Sequence, residues 1–246
     1  MPDLASLPYC GPPPHPAELW MSWNLDAWVI AALAATWGGY RLARRRAPGR
    51  DGLAAAALAV LALAFISPVC ALSSALFSAR VAHHALIVVG AAPLLAAALP
   101  ASRPPGGLVA ATLVQAMVFW FWHAPAPYAW ALSADLPYWL MEATLFGTAL
   151  MFWAAVGRAH PLPAAGALLA SLMQTGLLGA LITFAGQPLY GAHLLTTSAW
   201  GLSALEDQQL AGLIMWAPMG LAYLLPALAR VGRWLAAPEH SLEARA

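Results

Sequence analysis

Seven apolar runs, each close to the length of a bilayer crossing, recur along this 246-residue chain. They lie at about 25–43, 52–69, 80–99, 107–123, 136–156, 164–184 and 208–229. A helix that crosses the hydrocarbon core needs ~20 mostly apolar residues. Composition points the same way. Hydrophobic residues make up 62% of the chain and charged ones 9%, whereas about a quarter of a soluble domain is charged. The expected fold is all-α, a polytopic membrane bundle of seven transmembrane helices over 25–230. A proline-rich tail, 1–24, precedes it and a short tail, 231–246, follows.

The chain has no lysine, and its eleven arginines are unevenly placed. Arg41, Arg44, Arg45, Arg46 and Arg50 follow the first span. Arg103 lies between the third and fourth, Arg158 between the fifth and sixth, and Arg230, Arg233 and Arg245 after the seventh. All ten alternate onto one side, and only Arg80 falls on the other. The positive-inside rule makes the ten-arginine side cytoplasmic. The amino terminus and tail 1–24 are then outside, in the periplasm, and the carboxy terminus is cytoplasmic. Localisation is expected at the bacterial inner membrane, multi-pass, with the lipid bilayer as first partner. Trp20, Trp23, Trp120, Trp122, Trp130, Trp139 and Trp200 gather near the outer interface, as an aromatic belt does. A net charge of +1 gives no reason to expect a nucleic-acid partner.

Four of the seven histidines, His83, His84, His123 and His193, sit at or near the outer ends of spans. Neutral imidazole is a good ligand for copper, zinc and iron. The four are therefore candidates for a metal or haem site, and equally for interfacial polar residues bonded to carbonyls. His83 and His84 point ~100° apart on a helix, which argues against both binding one metal from a straight helix. Span five opens with Tyr138, Met141 and Glu142 on one helical face. Glu142 lies about two turns inside, where an ionisable group is a functional candidate by default. Ligation, proton uptake, or pairing with Arg80 or a histidine would each suit it.

Span seven opens Glu206-Asp207-Gln208-Gln209. Asp207 is placed to cap that helix or to sit in its first turn. Met215 and Met219 are one turn apart, spaced for packing or for a thioether pair holding Cu(I). Met141 and Met173 have the same two readings. Cys10 and Cys70 both fall outside, where a disulfide is possible; copper binding or separate thiols are the alternatives. No Ser/His/Asp order and no glycine-rich phosphate loop suggests an enzyme.

The stretch Asp207-Gln-Gln-Leu-Ala-Gly-Leu-Ile-Met-Trp-Ala-Pro218 resembles the most distinctive motif of the multi-spanning CtaG family of cytochrome c oxidase assembly factors, the caa3-type group. Trp122-His123-Ala-Pro125 with Tyr128, His84 with Ala91-Ala-Pro93, and Gly179–Phe184 leading to Pro188-Leu-Tyr190 are similar as well, covering roughly 65–225. The chain departs from the family pattern where span three often begins His-Met-x-x-His, having Arg80, Val81 and His84. It departs again where span five often begins His-x-x-x-His, having Tyr138 and Glu142. The resemblance implies an assembly factor for haem–copper oxidases that handles copper at the outer face. His84 and His123 are the implied ligands, with His83, His193, Glu142 and a Met as candidate partners. An oxidase subunit or a copper chaperone would be the protein partner. Rival readings are a haem-binding membrane protein using two of these histidines, a transporter using Glu142 and Asp207, and a structural scaffold.

Overall fold

The computed structural model describes residues 8–43, 49–99 and 107–236. Among them the chain is helical, with no strand. The helices are α1 (Ala27–Ala43), α2 (Asp51–Phe65), α3 (Pro68–Ala75), α4 (Phe77–Ala85), α5 (Ala92–Ala98), α6 (Gly107–His123), α7 (Pro125–Ala131), α8 (Asp135–Arg158), α9 (Pro161–Thr183), α10 (Ala204–Trp216) and α11 (Pro218–Leu235). Arg44, Arg45, Arg46, Arg103 and Arg245 lie outside the described residues, as do the far ends of both tails.

Four helical stretches are long and apolar enough to cross a bilayer: Phe77–Ala98, α8, α9 and Ala204–Leu235. Two bent pairs, α2–α3 at 45° and α6–α7 at 79°, qualify only when each pair is taken as one span. The structure thus carries four to six of the seven expected crossings. The remaining candidate is α1, with 17 residues.

Proline sets the bends. The residue before a proline is pushed out of the helical region, and Ser67 (ψ 170°) and Ala124 (ψ 140°) are both extended. The Ser67 hydroxyl then accepts from the Val69 amide and starts α3. Between α4 and α5 the chain widens into a π-helical segment, Leu86–Ala91. There the Ala92 amide reaches back to the Ile87 carbonyl. In that register the Val88 carbonyl would take its bond from residue 93, a proline with no N–H. The Trp153 indole of α8 donates to it instead, at 2.9 Å.

The bundle is apolar outside and polar within. Val109, Leu113, Met117 and Phe121 make an exposed row along α6, and Leu169, Met173, Leu177 and Leu181 another along α9. Rows at this spacing share one helix face, and a face so apolar suits lipid. Met173 is therefore no ligand of an interior site. Buried instead are Arg80, His83, His84, His123, Glu142, His193, Asp207 and Gln208. Where α9 crosses α10 the backbones touch. A Cβ on Gly212 would collide with the Thr183 hydroxyl and the Gly179 carbonyl, so no larger residue fits.

Cys10 and Cys70 form a disulfide, with Cα atoms 5.2 Å apart. Of the alternatives open in the sequence, this is the one realised, and it ties the tail to α3. Closing a loop of this separation restricts the unfolded chain and contributes about 3–5 kcal/mol where geometry is unstrained.

Candidate metal centre

The buried polar residues are brought together by a clamp at the start of α10. Phe77 and Ser78 open α4, where first-turn amides have no partner within their own helix. Asp207 supplies one from across the bundle. Its carboxylate accepts from the Phe77 amide (2.7 Å), the Ser78 amide (3.1 Å) and the Ser78 hydroxyl. Gln208 ties down the loop that precedes α10. It accepts from the Leu189 amide at 2.6 Å and donates to the Ile182 and Gln187 carbonyls at 3.2 and 3.3 Å.

Of the two places expected for Asp207, the structure realises the first turn of α10 and not the cap. Ser203 is the cap of α10, in a reciprocal box with Glu206. The Ser-x-x-Glu spacing that signals such a box is plain in the sequence. It leaves Asp207 one position further round the helix, facing α4.

With its first turn fixed, α4 presents Arg80, His83 and His84 to α8. Glu142 of α8 receives all three on one oxygen. Arg80 Nη1 donates to Glu142 Oε1 at 3.3 Å, and His83 Nδ1 and His84 Nε2 each lie 3.5 Å from the same atom. The two imidazoles do diverge, with centroids 5.9 Å apart. Glu142 enters between them, so divergence does not prevent a shared centre. One donor atom from each of His83, His84 and Glu142 lies within 4.8 Å of the others.

His123, at the end of α6, sets the state of His84. Its Nδ1 lies 2.7 Å from the Phe119 carbonyl oxygen, which can only accept. The network thus assigns the proton to Nδ1 and leaves Nε2 as an acceptor. His84 Nδ1, 3.2 Å away, donates to it. A neutral His84 then turns an unprotonated Nε2 toward Glu142. Neither this atom nor either nitrogen of His83 has a hydrogen-bond partner, and Glu142 Oε2 lacks one too. The His84 lone pair thus faces a carboxylate oxygen with no hydrogen between them, and His83 brings a second unbonded ring nitrogen to the same oxygen. A cation would relieve that repulsion. Around an ion with bonds of about 2.1 Å, tetrahedral ligands sit about 3.4 Å apart, close to the two 3.5 Å separations here. Arg80 opposes such an ion by its charge.

The other candidates lie around this centre. Tyr138 is buried over the Arg80 guanidinium, with 5.2 Å from ring centroid to carbon. Met141 is buried in the main apolar core beside Glu142. Met215 and Met219 belong to the same core, and Met215 packs where α9 crosses α10. His193 stands apart from the cluster. It pairs with the Tyr128 hydroxyl at 2.7 Å, in a layer with Phe77 and Tyr190. The Tyr190 hydroxyl in turn donates to the His123 carbonyl at 2.7 Å. His193 thus supports the centre through packing. The Phe119 carbonyl is the participant that reasoning from side chains missed; its signal is only the i−4 position relative to His123.

Burial, with Arg80 as a lesser cause, pushes the His193 imidazole down to about 4. A depressed histidine stabilises the fold above its unfolded value, about 6.5, and that stability is lost as pH falls toward 4. Replacing it by glutamine is expected to flatten this part of the stability profile. The stability of wild type relative to His193→Gln should fall by on the order of 2 kcal/mol from pH 7 to pH 4, read from thermal unfolding in detergent. Parallel profiles would rule the assignment out.

No solved structure matches this chain. Among curated proteins, it is 35% identical over 88 residues to the fluoride-specific ion channel FluC of Aromatoleum aromaticum, a stretch covering 35% of this chain. The chain spans 66% of that channel's length. The family model for the cytochrome c oxidase caa3 assembly factor, Caa3_CtaG, matches residues 106–237. That range holds α6 to α11, and with them His123, Glu142 and the Asp207-Gln208 clamp. Matched over more than half its length, this chain belongs to the Caa3_CtaG family of cytochrome c oxidase caa3 assembly factors.

Proposed function

We propose that this protein is an inner-membrane assembly factor for a haem–copper cytochrome c oxidase and holds a copper ion transiently between His83, His84 and Glu142. The observation that carries the reading is the convergence of unpaired imidazole nitrogens and one carboxylate oxygen at 3.5 Å in the interior. Imidazole suits copper in either oxidation state, and the carboxylate biases the set toward the harder Cu(II). His123 acts one step out, holding the His84 tautomer. Such outer partners of ligating histidines orient them and raise their basicity. Arg80 keeps the empty centre neutral by pairing with Glu142, and weakens the hold on a second cation. A carrier that must release its cargo to an oxidase subunit or copper chaperone benefits from that weakness.

The topology belongs to the same proposal. With α1 crossing, the spans number seven and the arginine-rich ends of the helices face the cytoplasm. The amino terminus and the centre, at the starts of α4, α8 and α10 and the end of α6, then face outward. Haem is disfavoured by the short contact between His84 and His123, 3.2 Å. Two axial nitrogens on bonds of about 2 Å would stand about 4 Å apart with the macrocycle between them. A transporter working through Glu142 and Asp207 would need both carboxylates free. Asp207 is occupied by three donors of α4.

Purified protein is expected to bind one copper per chain, in competition with a chromophoric chelator. His84→Ala and Glu142→Gln should each weaken binding at least tenfold, and His123→Ala about tenfold. Undiminished binding in the His84→Ala/Glu142→Gln protein would refute this site. Binding lost from the double variant while it remains folded and monodisperse in detergent is the supporting result.

A further inference from the structure

The cluster has no open approach: His83, His84 and Glu142 are each at most 1% exposed. Its outer cover consists of two chains of ring contacts, and both end on the tail. Tyr138 lies over Arg80, and Tyr9 stacks on Tyr138 with centroids 4.8 Å apart. Phe65 meets His83 edge-on at 4.9 Å, Trp139 stacks on Phe65 at 5.4 Å, and Tyr9 meets Trp139 at 4.9 Å. Tyr9 is therefore the outermost ring of both chains. The next residue, Cys10, carries the disulfide to Cys70.

Cys10, 7% exposed, borders open space on one side of that disulfide. A cavity of about 340 Å³ lies beside it, lined by Cys10 with Tyr9, Pro12, Trp23 and Asn24 among others. Cys70 does not line it and is fully buried. Both sulfurs have donors close by. Asn24 Nδ2 is 3.8 Å from Cys70 Sγ, and the Tyr138 hydroxyl is 3.4 Å from Cys10 Sγ. Thiol–disulfide exchange depends on which sulfur can be attacked and on how readily the other leaves as a thiolate.

We propose that Cys10–Cys70 is an exchange site for an external dithiol, and that its opening releases the segment covering the histidine–glutamate cluster. The attacking thiolate bonds to Cys10 Sγ from the cavity. The Cys10–Cys70 bond breaks, and its electron pair leaves on Cys70 Sγ, where the Asn24 amide N–H stabilises it. The second thiol of the dithiol, as thiolate, attacks its own sulfur in the mixed disulfide and displaces Cys10. The cysteine thiolates take up protons. The dithiol has lost two electrons and become a disulfide, and the Cys10–Cys70 disulfide has become two thiols. Tyr9, then held only by its hydroxyl bond to Asp26 and its ring contacts, can leave Tyr138 and Trp139, which opens both chains of rings at their outer end. This deepens the reading of the cluster as a cargo site by supplying its gate.

The test uses the full-length oxidised protein in detergent, without denaturant and without metal. Dithiothreitol is the probe, removed by desalting before diethyl pyrocarbonate is added. A maleimide gel shift counts the thiols, and mass spectrometry follows carbethoxylation of His83 and His84. Two thiols per chain are expected after reduction, with His83 and His84 reacting at least tenfold faster and His193 unchanged. Tyr9→Ala, which keeps the disulfide, should show an intermediate rate without reductant. Cys10→Ser/Cys70→Ser should show the fast rate throughout; should it fail to fold, the other arms decide. A disulfide that opens only in denaturant overturns the exchange site. Equal rates at His83 and His84 before and after reduction, or a matching rise at His193 that signals general unfolding, overturns the latch. Copper enters neither readout, so failure of copper binding and failure of the latch are separate results.

Discussion

Asp207→Ala should lower the stability of the purified protein by about 3–5 kcal/mol and take the metal centre with it. The carboxylate is buried and accepts from two backbone amides and one hydroxyl at the start of α4. Removing it strands all three in the interior, at about 1–3 kcal/mol for each donor left unpaired. The melting temperature should fall by about 10 °C. Asp207→Asn keeps one acceptor oxygen and should lose about half as much. Because α4 carries Arg80, His83 and His84, copper affinity should fall in the same order across the two variants. A loss under 1 kcal/mol for the alanine variant would mean that α4 is held by packing alone.

Arg80→Met should be as damaging, for a different reason. Arg80 and Glu142 are a buried ion pair with no exposed side-chain surface to speak of. Deleting one partner leaves the other as an uncompensated charge, which costs about 3–5 kcal/mol. Two further measurements separate this from simple loss of packing. The double variant Arg80→Met/Glu142→Met should recover most of the stability, because an apolar replacement of a whole pair is often neutral or better. Saturating copper should also restore the single variant, since the ion takes over neutralisation of Glu142. The double variant, lacking the carboxylate, should gain nothing from copper. If stability losses simply add across the cycle, the pair is not coupled and the charge argument fails.

Helical class and apolar lengths were legible because both depend on local runs of side chains. The bends were half legible. Pro68 and Pro125 mark where the chain must leave the helical region, but 45° and 79° are set by what each short helix packs on. The π segment before Pro93 was not legible, because its relief comes from Trp153, 65 residues away. At the centre, the residue types were readable and the partnerships were not. Topology alone left four outer histidines alike, and the family resemblance singled out His84 and His123. Three-dimensional contact separates the four into two that face Glu142, one that fixes a tautomer, and one bonded to Tyr128.

Asp207 shows the division most clearly. Its position at the very start of an apolar span marks it as a group that needs a reason to be there, which follows from the cost of a charge in the interior. The reason itself, the unpaired first turn of α4, lies about 130 residues earlier in the chain. Periodicity, charge asymmetry and proline positions are properties of neighbours in sequence, and they determined the helices, the side of the membrane expected for each end, and the candidate chemistry. Which lone pairs meet, which amide lacks a partner, and which cysteine can be reached depend on how those helices are laid against one another. Only the tertiary structure decides that, because burial and hydrogen-bond satisfaction are properties of the packed bundle.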